Sequence, residues 1–414
     1  MKTVGLITEY NPFHNGHQYH IEQAKKITGA DRVIVIMSGD FVQRGQPAIM
    51  PKHLRAEMAL RCGASAVFEL PVCYATGSAE VFATGAVSFL EMLGCVDVLC
   101  FGSECADMDT LEQIARILSD ETDEYVESLR SNLQKGLSYP AARVSALSQY
   151  CCDDSFSEIL RHPNNILGIE YLKVLYKTNS AITPCTIRRD GGEYHDKELR
   201  EIRSSASAIR ATLQQSSFEC LPFSEQSVLA GHIPENCCDL LNNAYKKTYP
   251  VYTDTFSLIL KYALLQEEDF SHYQDVSAEL SNRIIKLRNQ FQSFEQFCEL
   301  LKTKDLTYTR ISRALTHIML HITTCDTEHH LNDQIHYYAH LLGFKKDESD
   351  ILTEIKKTSR LPILSKLSDA SFSCEEAEKM LRTDCFASDL FYSVLTELYK
   401  TPFLNEYQKQ LIRI

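Results

Sequence analysis

The sequence predicts a doubly wound parallel α/β sheet with a helical insertion, followed by an α-helical C-terminal domain. Short apolar runs, four of them before residue 102, alternate with stretches of helical periodicity. Each run ends in Gly, Pro or a polar turn, as strands feeding crossover helices do. Beyond about Phe218 the pattern is mostly helical, with amphipathic stretches such as Phe256 to Leu265 and Ile311 to His321 and no strand alternation.

In chain order, Val4 to Ile7 is a first strand that leaves through a turn, Thr8 to His17, into a helix ending near Gly29. Arg32 to Ser38 is a continuous β-branched run of the kind buried on both faces of a parallel sheet, and it stops at Gly39-Asp40. Pro51 opens a helix through Cys62, with Gly63 at its end, and Ala66 to Leu70 is a third strand stopped by Pro71. A helix fits Ala79 to Leu93, then Asp97 to Phe101 reads as a fourth strand followed by helical periodicity from Met108 to Leu118. Residues 106 to 180 form the expected helical insertion, ahead of a fifth strand around Thr186-Ile187-Arg188-Arg189 and a helix from Ser205. The polar stretch Gln214-Gln215-Ser216-Ser217 suggests a boundary there, giving domains 1–215 and 216–414.

At 414 residues the chain is too long for one compact core. No run approaches the roughly eighteen apolar residues that span a bilayer, and the apolar opening stops at Glu9, too short for a secretory signal. A cytoplasmic protein without a membrane partner is expected. The 15 Cys are scattered, and Cys151-Cys152 and Cys237-Cys238 lack zinc-ligand spacing, so free thiols and no structural metal are expected. A net charge of −13 argues against indiscriminate binding of DNA or other nucleic acid by the whole surface. Ser281 to Arg313 is nevertheless locally basic, with Arg283, Lys286, Arg288, Lys302, Lys304, Arg310 and Arg313.

A strand that turns through Pro12 and Gly16 into a helix leaves the first helical N–H groups facing whatever lies above. His14 and His17 add side chains able to donate to phosphate oxygens and to gain charge as negative charge builds there. The segment reads as a triphosphate cradle, where a lone His would more often be a plain turn residue. Because ligands gather outside the carboxyl ends of such sheets, Glu9 to His17, Ser38 to Arg44 and Gly102 to Glu104 should converge. In Ile202 to Arg210, Ser205 and Ser207 either cap a helix or donate to phosphate, and Arg210 can balance a departing pyrophosphate. His162-Pro163-Asn164-Asn165 reads as readily as a turn and cap, and Arg188-Arg189 as a solvated face. Arg310 and Arg313, beside Tyr308, suit a phosphate or a stacked base, or again a solvated face; Lys345, Lys346, Lys356, Lys357 and Arg360 form a weaker cluster.

Together, Glu9 to His17, Met37 to Gly45, Phe101 to Glu104, Pro163 to Gly168 and Ser205 to Arg210 resemble the bacterial tRNA(Met) cytidine acetate ligases, HxGH-type nucleotidyltransferases of Rossmann-like fold. The likeness continues in Tyr308 to Arg313 and Leu361-Pro362-Ile363. It implies an enzyme that joins acetate to AMP from ATP, then passes the acetyl group to N4 of the wobble cytidine of elongator tRNA(Met). It implies ATP contacts from Ile7, Thr8, Glu9, Tyr10, Asn11, Pro12, Phe13, His14, Asn15, Gly16, His17, Gln18, Tyr19 and His20, and from Gly102. One of Asn164 and Asn165, and one of Arg188 and Arg189, would join them, spacing to Tyr194-His195-Asp196 favouring Arg189.

Acetate attack on the α-phosphate needs alignment and charge neutralisation more than covalent help, a role suited to His14, His17, Ser205 and Arg210, with Asp40 as an active-site neighbour. Mg2+ would bridge phosphate oxygens without a dedicated carboxylate cage. Arg283, Arg310, Arg313, Lys356 and Lys357 are the expected tRNA contacts, and Glu9, Asp40 and Glu104 all stand as candidates to take the N4 proton. The competing readings are a small-molecule adenylyltransferase and a silent, ATP-containing tRNA-binding protein.

Overall fold

In the computed structural model, β1 (Thr3–Thr8), β2 (Arg32–Ser38), β3 (Ala66–Leu70), β4 (Val98–Ser103) and β5 (Thr183–Arg188) run parallel in the order β3-β2-β1-β4-β5. The structure describes residues 1–120, 122–137, 139–151, 155–189, 204–215, 221–332 and 335–414. The run Tyr194-His195-Asp196 used for spacing, the start of the run at Ile202-Arg203, and Ser216-Ser217 lie outside the described residues. All residues of β2 and β3 are buried, as their continuous apolar runs require of strands covered on both faces.

On one face α1 (Asn15–Thr28), α2 (Lys52–Arg61) and a later helix, Ala206–Gln215, pack against Val4, Leu6, Val33 and Val35. On the other, α3 (Ala79–Leu93) and α4 (Pro163–Lys177) pack against Ile34, Ile36, Leu99 and Phe101. Local chemistry sets the helix ends. Ser78 accepts a hydrogen bond from the Val81 N–H to open α3, while Gly29 and Gly94 close α1 and α3 in the left-handed region that favours glycine. Between β4 and α4 the described chain is helical, in segments Met108–Asp120, Asp123–Gln134, Tyr139–Cys151 and Ser155–Ile159.

The expected absence of strands beyond Phe218 does not hold. β6 (Ala339–Phe344) is fully buried and pairs antiparallel with β3, extending the sheet; β7 (Ile363–Leu364) and β8 (Ile412–Arg413) pair parallel to β6. A six-residue, mostly apolar stretch among helices has no periodicity that separates a buried strand from a buried helical turn. Elsewhere this half is helical, including α5 (Tyr308–Leu320) and α6 (Glu375–Tyr399). No helix among the described residues is long and apolar enough to cross a membrane.

A buried ion network joins the late chain to the sheet. Lys52 Nζ, at the start of α2, lies 2.8 Å from both carboxylate oxygens of Glu69 on β3, 2.9 Å from Glu406 Oε2, and 2.7 Å from Ser388 Oγ on α6. His340 of β6 sits 2.7 Å from the other side of Glu69. Burial alone would favour loss of the Lys52 proton, but the Glu406 and Glu69 carboxylates outweigh it and hold the pKa well above that of an ordinary lysine. Lys52→Met leaves both carboxylates buried without their cation and is expected to cost about 3–5 kcal/mol in urea unfolding. Removing an exposed partner, as in Arg161→Ala beside Glu158, should cost less than about 1 kcal/mol.

Candidate active site

A cavity of about 240 Å³ opens at the carboxyl ends of β1 and β4, where the strand order reverses. It takes Ile7 and Thr8 from the end of β1, Glu9, Tyr10, Asn11 and His14 from the turn after it, and Gly16, His17, Tyr19 and His20 from α1. Gln43 and Arg44 come from the hairpin turn after β2, Gly102 from β4, and Asn164 from α4. Arg188 ends β5 and Arg189 follows it, with Ser204, Ser205, Ser207 and Arg210 beyond them. The three predicted segments thus converge in part: Gln43 and Arg44 reach the cavity, whereas Ser38 and Asp40 do not line it.

The turn into α1 is capped by its own histidines. His14 Nδ1 accepts from the Gly16 N–H at 3.0 Å, His17 Nδ1 accepts from the His14 N–H at 3.2 Å, and the rings stack at 3.8 Å. A ring nitrogen that accepts carries no proton, so each neutral imidazole bears its proton on Nε2. A Cβ on Gly16 would lie 2.8 Å from the His14 ring, so glycine is what lets that ring fold back over the helix end. The remaining first-turn donors are also satisfied: Asn15 N–H reaches His232 O, and the His17 and Gln18 N–H groups reach His14 O. The sequence-based expectation of bare helical N–H groups therefore fails. These backbone donors are already paired, and His14 Nε2 is buried with no hydrogen-bond partner among the described residues.

These rings are neutral. Burial, then the charges of Arg189, Arg210 and His232, lower the His14 pKa to about 3. Burial, His14 and Arg189 push His17 well down, and burial with Arg189 brings His20 to about 4. The expectation that the pair readily gains charge gives way to a pair of neutral donors, and guanidinium groups supply the positive charge. Tyr10, in the left-handed region at φ 50°, packs its ring 4.7 Å from Phe13 and 4.9 Å from His17.

Several expected contacts do other work. Pro12 and Phe13 do not line the cavity, Phe13 being wholly in the core. Asn15 Nδ2 donates to Gly231 O at 2.6 Å, and Gln18 donates to Glu22 at 2.9 Å. Asn164 and Asn165 divide their roles. Asn164 lines the cavity and accepts from Arg189 Nη1 at 2.8 Å, while buried Asn165 accepts from the N–H groups of Glu104 and Cys105 at 2.9 and 3.2 Å. Glu104 in turn caps α4, accepting from Asn164 Nδ2 at 2.5 Å and from the Asn165 N–H at 2.9 Å. A Cβ at Gly102 would come 3.1 Å from Arg189 Cγ, so the bare backbone lets that side chain lie across the strand end. Ser205 accepts from the Ala208 N–H at 3.1 Å as a helix cap, yet also lines the cavity; Arg210 donates to Asn11 O and to Ser207 Oγ. Glu9 Oε1 accepts from the Gln43 N–H at 2.9 Å, tying the hairpin to the β1 turn.

Asp40 is a correction. It is buried away from the cavity and accepts from the Lys52 N–H at 2.7 Å, because the chain turns it back beneath α2. Arg283 is another: its guanidinium donates to the carbonyls of Leu301 and Leu300 at 2.8 and 3.0 Å, closing a helix end. Arg313 pairs with Asp275 at 2.7 Å. Lys356 and Lys357 are exposed on the helix Asp350–Thr358, which Arg32 pins at the amino end of the sheet, opposite the cavity. Arg310 stays half-exposed on α5, whose Ser312 and Thr316 hydroxyls donate to Gly45 O behind the Gln43-Arg44 turn. The sequence-based reading missed the apolar walls Phe82, Leu167 and Tyr171, which no pattern separates from core.

The family model for HIGH Nucleotidyl Transferase matches residues 1–406. The tRNA(Met) cytidine acetate ligase of Acetivibrio thermocellus is 41% identical over 413 residues, covering 97% of this chain and 96% of the relative. That of Caldanaerobacter subterraneus is 39% identical over 392 residues, covering 94% and 95%. Crystal structures of Thermotoga maritima TmcAL, 31% identical and matched over 100% of both chains, superpose with TM-scores of 0.92 for the apo form and 0.88 for the form bound with alpha-thio ATP.

The histidine cap sets a pH dependence. An unfolded chain protonates His14 near 6.5 and the folded chain not until about 3, so this residue makes stability fall as pH drops through that window. His14→Asn keeps an acceptor for the cap but removes the titration. The slope of unfolding free energy against pH, near pH 5, should drop by close to one proton, about 1.4 kcal/mol per pH unit. An unchanged slope would show that His14 is not held neutral.

Proposed function

Because the chain belongs to the HIGH nucleotidyl transferases and, within them, to the tRNA(Met) cytidine acetate ligases, we propose that it activates acetate with ATP and acetylates N4 of the wobble cytidine of elongator tRNA(Met), in the cytoplasm. The observation that carries this reading is the pair of neutral imidazoles capping α1, set with Arg189 and Arg210 around a cavity at the sheet's switch point. The triphosphate lies over this cap. The Nε2–H groups of His14 and His17 donate to its oxygens, and Arg210, tied to the β1 turn through Asn11, meets the charge of the leaving group.

An acetate oxygen attacks the α-phosphorus, the bond from the α-phosphorus to the bridging oxygen breaks, and pyrophosphate leaves with that electron pair. N4 of cytidine then attacks the acetyl carbonyl, the acyl–oxygen bond breaks, and AMP departs. Among the described residues Glu9 is the one carboxylate lining the cavity, since Asp40 is buried elsewhere and Glu104 caps α4. Glu9 therefore takes the N4 proton. A single lining carboxylate fits a magnesium ion that would be carried in by the triphosphate, where Glu9 would be the residue available to it, and not one resident in a protein cage. When bound, such an ion neutralises phosphate charge. The tRNA approaches over the hairpin turn, where Arg44 lines the cavity, and over α5, which packs behind that turn and carries the half-exposed Arg310.

His14→Ala should lower acetate-dependent exchange of pyrophosphate into ATP by about 100-fold or more. Glu9→Gln keeps the acceptor for the Gln43 N–H, so exchange should survive while N4-acetylcytidine formation is lost. Arg310→Ala should spare exchange, weaken tRNA binding and reduce its salt slope by about one. If the wild-type protein shows no acetate-dependent exchange, with or without tRNA, this reading is wrong.

A further inference from the structure

The cavity has two lobes on opposite faces of the sheet. The phosphate-side groups His14, His17 and Arg210 belong to the face covered by α1. Ile7 and Phe101 lie two residues beyond the paired Gly5 and Leu99 of β1 and β4, and turn to the other face, beneath α3 and α4. There Phe82 of α3 and Leu167 and Tyr171 of α4 complete the wall. Phe101 and Tyr171 meet edge to face at 5.8 Å, and a Cβ on Gly168 would come 2.5 Å from the Phe101 ring, so glycine lets α4 seat against it. Phe82, Phe101 and Tyr171 are only 2%, 5% and 3% exposed. The side chains of Ile7, Phe82, Phe101, Leu167 and Tyr171 carry one polar group, the Tyr171 hydroxyl, and the nearest charge acting on it is that of Glu9.

We infer that this lobe is the acyl pocket: it receives the methyl group of acetate, and Phe82, Leu167 and Tyr171 limit the acid to a short chain. The inference rests on the acetate-activating reading above. The lobe begins at Ile7, directly before Thr8 and Glu9, so an acid with its methyl group among these rings presents its carboxylate at the strand end, toward the phosphate side. That is the approach in-line attack on the α-phosphorus requires. An adenine ring fits among these side chains worse, because they offer its ring nitrogens and amino group only the Tyr171 hydroxyl. A methyl group needs only apolar contact.

The test uses full-length protein and acid-dependent pyrophosphate exchange, comparing formate, acetate, propionate and butyrate. Phe82→Ala would open a hole in the core, so Phe82→Leu is preferred, with Leu167→Ala as an independent variant at a less buried position. Each should raise the ratio of kcat/KM for propionate over acetate by about 10-fold or more, with the KM for ATP little changed. Exchange that proceeds at the wild-type acid ratio in both variants would overturn the acyl pocket. So would a raised KM for ATP at constant acid ratio, which would place adenine in the lobe. Absence of exchange with every acid in the wild-type protein would instead remove the activating reading itself, a separate and recognisable failure.

Discussion

The reversal of strand order at β1 is the constraint on which the rest of this molecule depends. The crossovers through α1 and α2 carry the chain along one face from β1 to β3, and α3 brings it back across the other face to β4. The segments leaving β1 and β4 therefore diverge, and nothing in the crossover pattern covers the gap between their carboxyl ends. The groups of the site enter that gap from different directions: the imidazoles from one face, the aromatic walls from the other, and Arg189 and Arg210 from beyond β5.

Within the gap, one piece of local chemistry serves two ends. A helix start must satisfy its N–H groups, and here two imidazoles and the carbonyls of His14 and His232 do so. Meeting that need dictates which ring nitrogen keeps its proton, and so delivers two neutral donors at fixed positions. A helix terminus alone favours an anion by about 0.3–1 kcal/mol. Hydrogen bonds from charged groups contribute about 1.5–3 kcal/mol each, so in the proposed reaction Arg189 and Arg210 would dominate phosphate affinity while the histidines determine geometry.

The Lys52 network explains why the late chain cannot be treated as an appendage. Two carboxylates, one on β3 and one beyond residue 400, converge on a single buried ammonium, and His340 of β6 closes the far side. Lys52 thus fills the position a cation would take among Glu69, His340 and Glu406. The same α2 start fixes Asp40 through its backbone N–H, which is why that carboxylate lies under the helix and out of the cavity.

Much of this was legible from the amino-acid order, and the residues show why. β2, β3 and α3 occupy the stretches read for them because continuous β-branched runs and helical spacing are local properties, bounded here by Gly, Pro and Ser. His14 and His17 stood out because spacing and a turn are local too. What tertiary structure alone decided was partnership. Ala339 to Phe344 is a strand because β3 offers it an edge; Arg283 and Arg313 are anchored because carbonyls and Asp275 lie within reach. Phe82 and Tyr171 wall a cavity only because two helices stop short of filling the space above β1 and β4. By itself the sequence determined the periodicity, the turns and the chemical groups available, since these depend on neighbours a few residues away. Which groups meet, and which nitrogen, carboxylate or ring is left facing the cavity, depends on contacts between distant segments that no local pattern records.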